Sequence, residues 1–230
     1  MQRRGFLLAA VATAVAHSAR AATRPVVLEL FTSQACSSCP PADALLGELA
    51  RSSVVVALAW HVDYWNDLGW RDPFATRFAT DRQRAYATRL HDEVYTPGLV
   101  VNGAAIVVGS ERPAVAAAIA HAAPLAVPAT LVRDADGLGA TLGVTEAPLS
   151  ALLAVYAPER ATAVGGGENR GRQLREYHIV TAMRRTDVPP GAARRLRFPA
   201  IAPGYGAALL LQAEDLRIVG AADLGPTISV

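Results

Sequence analysis

The chain has two cysteines, Cys36 and Cys39, which stand in the sequence Cys-Ser-Ser-Cys between an apolar segment and a helical one. This spacing is compatible with thiol–disulfide exchange, a structural disulfide or part of a metal site. A structural disulfide across so short a loop contributes roughly 2 kcal/mol in the chain-entropy model, against about 4.7 kcal/mol for a 100-residue loop. A closed zinc site needs four ligands, and the sequence has no second Cys-x-x-Cys and no His-x₃-His. The redox interpretation is favoured, and the other two stay open.

The two cysteines are expected to play different parts. Cys36 is predicted to be outermost in the turn, and Cys39 to lie within the first turn of the helix. Unpaired N–H groups and the positive end of the helix dipole favour a thiolate on a cysteine at a helix start. They lower the pKa of that cysteine by at most about 1.5 units from roughly 8.5. Cys36 is therefore the predicted nucleophile and Cys39 the resolving thiol. No cofactor or metal is expected, and the predicted partners are protein or small-molecule thiols and disulfides.

The elements around the cysteines predict an α/β unit. Val26–Thr32 and residues 54–60 are β-rich apolar runs that flank a helix over residues 42–51. This β-α-β order implies two parallel strands with a right-handed crossover. A helix over 74–90, a hairpin over 99–108 that turns at Asn102-Gly103, and a helix from 112 to about 123 are predicted to follow.

The C-terminal half has a different pattern. From Pro124 onward, short strand-like pieces alternate with turns that carry glycine and proline, which indicates an all-β sandwich or small barrel. The predicted domains are therefore residues 25–123 and residues 129–230, joined by a linker over 124–128.

His61 and Asp63 are further candidate site residues because they follow the second strand. The carboxyl ends of parallel strands meet at one sheet edge, so His61 could stabilise a thiolate or carry a proton. Alternatively, the two residues cap or bridge the segment that follows them.

Two other groups of residues have both a functional and a structural interpretation. Five aromatic residues could form the wall of a groove for a polypeptide substrate. Alternatively, they pack the segment after the second strand onto the sheet. They are Trp60, Tyr64, Trp65, Trp70 and Phe74. Residues 165–171, which are rich in glycine, form either a flexible hairpin or a binding loop.

Residues 1–21 are predicted to be an export signal. Arg3-Arg4 precede an apolar stretch over residues 6–16, and Ala19-Arg20-Ala21 forms an A-x-A cleavage site. The start resembles a twin-arginine signal, with an ordinary secretory leader as the alternative. The apolar stretch is too short to span a bilayer, which needs about 20 residues, so no stable membrane insertion is expected after cleavage. The predicted location is periplasmic or secreted, in an oxidising space.

Composition excludes several classes of protein. Apolar residues make up 52% and charged residues 18%, which argues against a disordered chain or a coiled coil. All 22 basic residues are arginine, the net charge is +2, and there is no extended basic cluster. Nucleic acid is therefore not an expected partner. The sequence does not indicate an oligomeric state.

Several motifs resemble those of an exported bacterial family catalogued only as a domain of unknown function, number 1223. The segments that carry this resemblance are residues 31–43, 61–65, 69–74, 95–97 and 167–172. Two positions depart from the family's pattern: Ala35, where glycine is expected, and Gly98, where glutamine is expected. The order strand, Cys-x-x-Cys-Pro, helix, strand, then Thr96-Pro97 before a hairpin also resembles the thioredoxin superfamily.

The resemblance implies both a fold and a site. The implied fold is an α/β thioredoxin-like domain over 25–123, with a mixed sheet flanked by helices and a helical insert, followed by the β-rich domain. Thr96-Pro97 would be a cis-proline turn that faces Cys36 and Cys39 and receives an extended substrate.

The leading hypothesis is an exported thiol–disulfide oxidoreductase. Its candidate site residues are Cys36, Cys39, Thr96, Pro97, His61 and Asp63. One alternative is a non-enzymatic binding protein on a thioredoxin-like scaffold. The other is a copper-binding protein that uses Cys36, Cys39 and His61, since soft thiolates suit Cu(I).

Overall fold

The computed structural model describes residues 25–226, which form eleven strands and three helices. The helices are α1 Pro40–Leu49, α2 Arg77–Leu90 and α3 Arg112–Ala120. The strands are β1 Val26–Thr32, β2 Val55–His61, β3 Gly98–Val101, β4 Ala105–Val108, β5 Ala129–Asp134, β6 Gly137–Leu142, β7 Leu149–Ala163, β8 Gln173–Val188, β9 Arg194–Phe198, β10 Gly206–Ala213 and β11 Ile218–Leu224. The predicted export signal lies outside the described residues.

Eight strands form one mixed sheet, in the order β11-β10-β7-β8-β2-β1-β3-β4. β1 pairs with β2 in parallel, and β8 joins β2 in parallel at Ala59 and Ile179. The other pairs in this sheet are antiparallel. A second sheet, β5-β6-β9, packs against β7 and β10 through buried side chains such as Leu138 and Leu209.

The predicted fold class is wrong. The described chain is mostly β, with one large mixed sheet and three short helices, instead of a helix-flanked thioredoxin-like domain followed by a separate β domain. β8 continues the sheet begun by β1 and β2, so strands from both halves of the chain share one sheet. One hydrophobic cluster correspondingly contains Phe31 and Trp60 from the first half together with Leu152 and Leu210 from the second.

The length of β7 and β8 explains this error. They contain 15 and 16 residues, but only their apolar middle parts have the pattern of strands. Pro158 interrupts the pattern in β7, and charged residues interrupt it in both strands. Sequence alone therefore indicates short separate pieces, whereas the paired strands form a long hairpin that reaches back to α1 and β2.

Local signals set the ends of several elements. α1 begins after Cys39, with prolines at its first two positions, where a missing N–H costs no helical hydrogen bond. α2 begins later than predicted because Thr76 caps it, its hydroxyl accepting from the N–H of Ala79 at 3.3 Å. The hairpin between β3 and β4 turns at Asn102 and Gly103, both with positive φ, as the sequence predicts.

A buried ion pair accounts for the one charged residue in β1. Glu29 is fully buried, and its carboxylate accepts hydrogen bonds from Arg82 at 2.5 and 2.9 Å and from the Tyr86 hydroxyl at 2.6 Å. These bonds compensate the desolvation of the charge and fix α2 against the sheet. No helix in the described part of the chain is long and apolar enough to cross a membrane.

Candidate functional site

Cys36 and Cys39 form a disulfide in the turn between β1 and α1. Cys39 is the N-cap residue of α1, just before the first turn in which it was predicted to lie, and Cys36 lies three positions earlier. Cys36 is 1% exposed and Cys39 is 0% exposed, whereas Ser37 and Ser38 between them are exposed. The disulfide is therefore buried although its turn lies at the surface.

Thr96 and Pro97 face this disulfide. Their peptide bond is cis, as the resemblance implied. The carbonyl oxygen of Thr96 lies 3.8 Å from the Sγ of Cys36. The indole N–H of Trp65 donates to the Thr96 hydroxyl at 2.9 Å, and the N–H of Gly109 donates to the Pro97 carbonyl at 2.8 Å. The segment after β2 and the segment after β4 thus hold this turn against Cys36.

Residues 164–172, the loop between β7 and β8, lie across the cysteine turn; this loop is called the cap below. Asn169 in the cap is fully buried, and its Nδ2 donates to the carbonyl oxygens of Gln34 at 2.9 Å and Cys36 at 2.8 Å. Its Oδ1 accepts from Arg172 at 2.7 Å. The Glu168 carboxylate accepts from the N–H of Ser37 at 2.8 Å. The cap is therefore bonded to the backbone of the Cys-Ser-Ser-Cys turn.

The glycines let the cap approach its neighbours closely. A Cβ on Gly166 would lie 2.1 Å from the carbonyl oxygen of Gly69, and one on Gly165 would lie 3.0 Å from the Trp70 ring. A Cβ on Gly167, whose φ is +65°, would lie 3.5 Å from the Cβ of Ala35. Ala35, where the sequence departs from the family's pattern, therefore lies at the contact between the cap and the cysteine turn.

His61 lies beneath the turn in a buried polar cluster. Its Nδ1 is 2.7 Å from the Oδ2 of Asp72, and both side chains are completely buried. Asp72 also accepts from the N–H of Gln34 at 2.9 Å. The side chain of Gln34 donates to Glu176 at 2.9 Å and accepts from the Trp70 indole at 3.0 Å. This cluster connects Gln34, which lies two positions before Cys36, to β2, to β8 and to the segment between β2 and α2.

The cluster also includes Asp43, which lies one helical turn after Cys39. Its N–H donates to the Cys39 carbonyl at 3.1 Å, and its side chain is buried. Burial, opposed by the charge of His61, raises the Asp43 pKa to about 7. Burial would lower the His61 pKa, but Asp72, Glu176 and Asp43 outweigh it and raise that pKa to about 9. His61 is therefore an imidazolium at neutral pH, beside a carboxyl that titrates near neutrality.

The pKa values of the other two carboxyl groups, those of Asp72 and Glu176, are shifted in opposite directions. Burial alone would raise the Asp72 pKa, but the charge and hydrogen bond of His61 hold it below its ordinary value. Burial raises the Glu176 pKa. Within residues 25–226, His61 Nε2, Asp43 Oδ1 and Glu176 Oε1 are buried without a hydrogen-bond partner. The cluster therefore holds buried polar atoms whose hydrogen-bonding capacity is not used within it.

Asp63 lies apart from this cluster. Its carboxylate accepts from the Thr80 hydroxyl at 2.5 Å, and its N–H donates to the same hydroxyl oxygen at 3.0 Å. These bonds bridge the end of β2 to α2, which corresponds to the structural interpretation of this residue.

The aromatic residues mainly pack the segment after β2. Trp60 is fully buried and meets Phe78 edge-on, and Phe74 meets the His61 ring edge-on. Tyr64 and Trp65 pack against the same core, and Trp65 and Trp70 also bond the site as described above.

Among the described residues, no group of three His, Cys, Asp or Glu side chains is arranged to hold a metal ion. His61 instead bonds Asp72, and Cys36 and Cys39 bond each other. The copper alternative requires free thiolates, so it concerns the reduced form of this cysteine pair.

Sequence reasoning did not name several residues of the site, Asp43 and Glu176 among them. Asp72, Glu168 and Asn169 lie far along the chain from the cysteines, and no local pattern marks them as partners of the turn. The available signal was their position in segments 69–74 and 167–172, which carry the family resemblance. The interpretations of residues 165–171 as a flexible hairpin or a binding loop did not include contact with the cysteine turn.

Comparison with known proteins agrees with this set of motifs. Residues 27–205 match a family described as "Protein of unknown function (DUF1223)". The crystal structure of protein AGR_C_4864 from Agrobacterium tumefaciens is 30% identical, with a TM-score of 0.78 over 89% of this chain and 96% of that chain. HBP35 of Porphyromonas gingivalis, at 15% identity, is similar in fold, with a TM-score of 0.57 over 90% of this chain and 78% of that chain. No curated protein matches. The chain belongs to the DUF1223 family.

Proposed function

We propose that this protein is an exported thiol–disulfide oxidoreductase that exchanges its Cys36–Cys39 disulfide with protein or small-molecule thiols. The observation that carries the proposal is the position of Cys36, between the start of α1 and the Thr96 carbonyl, which lies 3.8 Å from its sulfur. A relationship to the thioredoxin superfamily is part of the proposal. It is limited to this local arrangement of a cysteine pair, a helix start and a proline turn.

The exchange is a two-electron transfer between the protein disulfide and a substrate dithiol. A substrate thiolate attacks Cys36 Sγ, a mixed disulfide forms, and the bond to Cys39 breaks with its electron pair on Cys39. The second substrate thiolate then attacks the substrate sulfur of the mixed disulfide and releases Cys36 as a thiolate. The substrate becomes a disulfide and the protein a dithiol, and the reverse sequence reduces a substrate disulfide.

The buried cluster supports proton transfer at Cys39. The leaving Cys39 thiolate is buried, so leaving it charged is costly. Asp43 lies one helical turn away, and its raised pKa of about 7 keeps a large fraction of the carboxyl protonated at neutral pH. His61 and Asp72 form a fixed ion pair behind it. In this proposal Asp43 exchanges the proton, and the ion pair sets the field in which it does so.

The cap places a condition on this function. Cys36 is only 1% exposed and the cap is bonded to the backbone of its turn, so we expect a protein substrate to reach the sulfur only after the cap leaves the turn. The bonds to be broken are those of Asn169 and Glu168, each to backbone groups of the turn. Exchange is therefore expected to include an opening step before the attack on Cys36.

A matched pair of cysteine variants tests the proposal. Cys39→Ala leaves Cys36 as a free thiol, which should attack glutathione disulfide and hold a mixed disulfide detectable by mass. Cys36→Ala leaves only Cys39, the N-cap residue of α1, and should react more slowly, since access and thiolate character both control the rate. Equal rates in the two variants, with both folded by circular dichroism, would contradict the assignment of Cys36 as the nucleophile.

Burial of the disulfide favours a second candidate function. A disulfide that is 1% and 0% exposed at its two cysteines is also compatible with a binding protein that uses it only to fix the turn. In that case the Cys36→Ala/Cys39→Ala double variant should retain full partner binding. It should lose only the roughly 2 kcal/mol of stability expected from a short disulfide loop.

A further inference from the structure

The Glu168 side chain places a negative charge beside the Cys36–Cys39 turn. Its carboxylate accepts from the backbone N–H of Ser37, the residue that follows Cys36, at 2.8 Å. Hydrogen bonds from the Ser37 hydroxyl and N–H hold the pKa of Glu168 below its ordinary value, so the carboxylate is charged at neutral pH. Among residues 25–226, Glu168 forms no salt bridge that would neutralise this charge.

The carboxylate also engages an N–H that would otherwise add positive potential to the turn. Backbone N–H groups near a helix start favour an anion beside them, and a Cys36 thiolate is that anion after reduction. Glu168 takes the Ser37 N–H and adds a like charge close to the thiolate. Both effects raise the free energy of the reduced form relative to the disulfide.

The other charged groups near the turn do not offset Glu168 directly. Arg172 donates to the Asn169 side chain, and Arg170 is exposed. On the inner side of the turn, His61 is paired with Asp72.

We propose that Glu168 is a positioning residue that sets the redox equilibrium of the Cys36–Cys39 pair: it disfavours the Cys36 thiolate and so keeps the pair from being a stronger oxidant. The proposal deepens the proposed function, on which its biological meaning rests. The shift in the redox equilibrium can be measured without a catalytic assay, because the equilibrium of any disulfide depends on the stability of its thiolate form.

The test compares Glu168→Gln with Glu146→Gln by equilibrating each folded protein with glutathione buffers and counting alkylated thiols by mass. Glutamine can still accept from the Ser37 N–H, so the first variant removes the charge while the hydrogen bond can remain. Glu146 is exposed and serves as the control for loss of one negative charge elsewhere. Glu168 is exposed, so water screens its charge. Glu168→Gln should shift the equilibrium toward the reduced form by about threefold, the order expected for one solvated charge a few ångströms from the thiolate. This corresponds to about 14 mV.

Salt concentration separates a charge effect from a change in packing. The shift should become smaller in about 1 M NaCl, where the Debye length falls to about 3 Å. An equilibrium constant for Glu168→Gln within about 1.5-fold of the wild-type value would overturn the role of Glu168. An equal shift in Glu146→Gln would overturn it as well. A wild-type potential below about −300 mV with the Glu168 shift intact would contradict the proposed function alone.

Discussion

The Nδ2 of Asn169 lies 2.8 Å from the carbonyl oxygen of Cys36, although the two residues are 133 positions apart in the chain. This bond links the hairpin of β7 and β8 to the disulfide turn at the start of α1. Asn169 is fully buried, and its amide donates to the carbonyl groups of Gln34 and Cys36, the latter also accepting from the N–H of Cys39 at 3.3 Å. The main chain of the disulfide turn is therefore held by a residue from the opposite half of the chain.

Asn169→Ala should release the cap. Loss of two hydrogen bonds costs about 1 to 3 kcal/mol, so the open form should become about 5- to 160-fold more populated. The rate at which dithiothreitol reduces the disulfide should rise by a similar factor, measured by quenching with an alkylating agent. Arg170→Ala, an exposed change in the same loop, should leave the rate unchanged. A lower stability of Asn169→Ala with an unchanged reduction rate would show that the cap does not gate Cys36.

Gly166→Ala should disturb the cap from its other side. The added Cβ would lie 2.1 Å from the carbonyl oxygen of Gly69, which is backbone and cannot rotate away. The expected loss in the free energy of unfolding is about 1 to 3 kcal/mol, measured by urea denaturation. The matched control is Gly225→Ala, where the Cβ would meet no atom within 4 Å. Equal stability of the two variants would mean that the cap does not pack against residue 69 in solution.

Stability should fall as pH rises from about 4 to 9. The Asp43 pKa is about 7 in the fold against 3.8 as its ordinary value, so between these values the folded state holds a proton that the unfolded state has lost. The free energy of unfolding then decreases by up to about 1.4 kcal/mol per pH unit, and this loss is complete above the folded pKa. His61 acts in the same direction from 6.5 to about 9, because its folded pKa is also raised.

Asp43→Asn separates the two contributions. The variant should lose the part of the decline below about pH 7 that belongs to Asp43 and keep the part that the raised pKa of Glu176 contributes. It should retain most of the decline between 6.5 and about 9, which belongs to His61. Urea denaturation at several pH values measures both, and the exposed substitution Asp136→Asn is the control. An Asp43→Asn profile parallel to that of wild type would mean that Asp43 does not hold its proton in the folded state.

Sequence could predict the parts of the site that local signals determine. The apolar runs of β1 and β2 and the prolines after Cys39 set the β-α-β unit and place the cysteines at the helix start. Asn102-Gly103 likewise determines the first hairpin's turn. The cis state of the peptide before Pro97 was predictable only through the family resemblance, because a proline is trans by default.

The parts that sequence could not predict depend on contacts between distant segments. No local sequence pattern predicts that β2 pairs with β8. Because of this pairing, strands from both predicted domains lie in one sheet. The partner of His61 is Asp72, which lies in an irregular segment. The cap bonds through Asn169 to main-chain carbonyls, and such bonds leave no complementary side chain that a sequence pattern could reveal.

The reduction potential of the Cys36–Cys39 pair tests the central claim most directly. It is measured by equilibrating the folded protein with glutathione buffers and counting alkylated thiols by mass. The account predicts a value roughly between −120 and −270 mV, the range of working thiol–disulfide proteins. A value below about −300 mV would contradict the account, because a disulfide so resistant to reduction is structural.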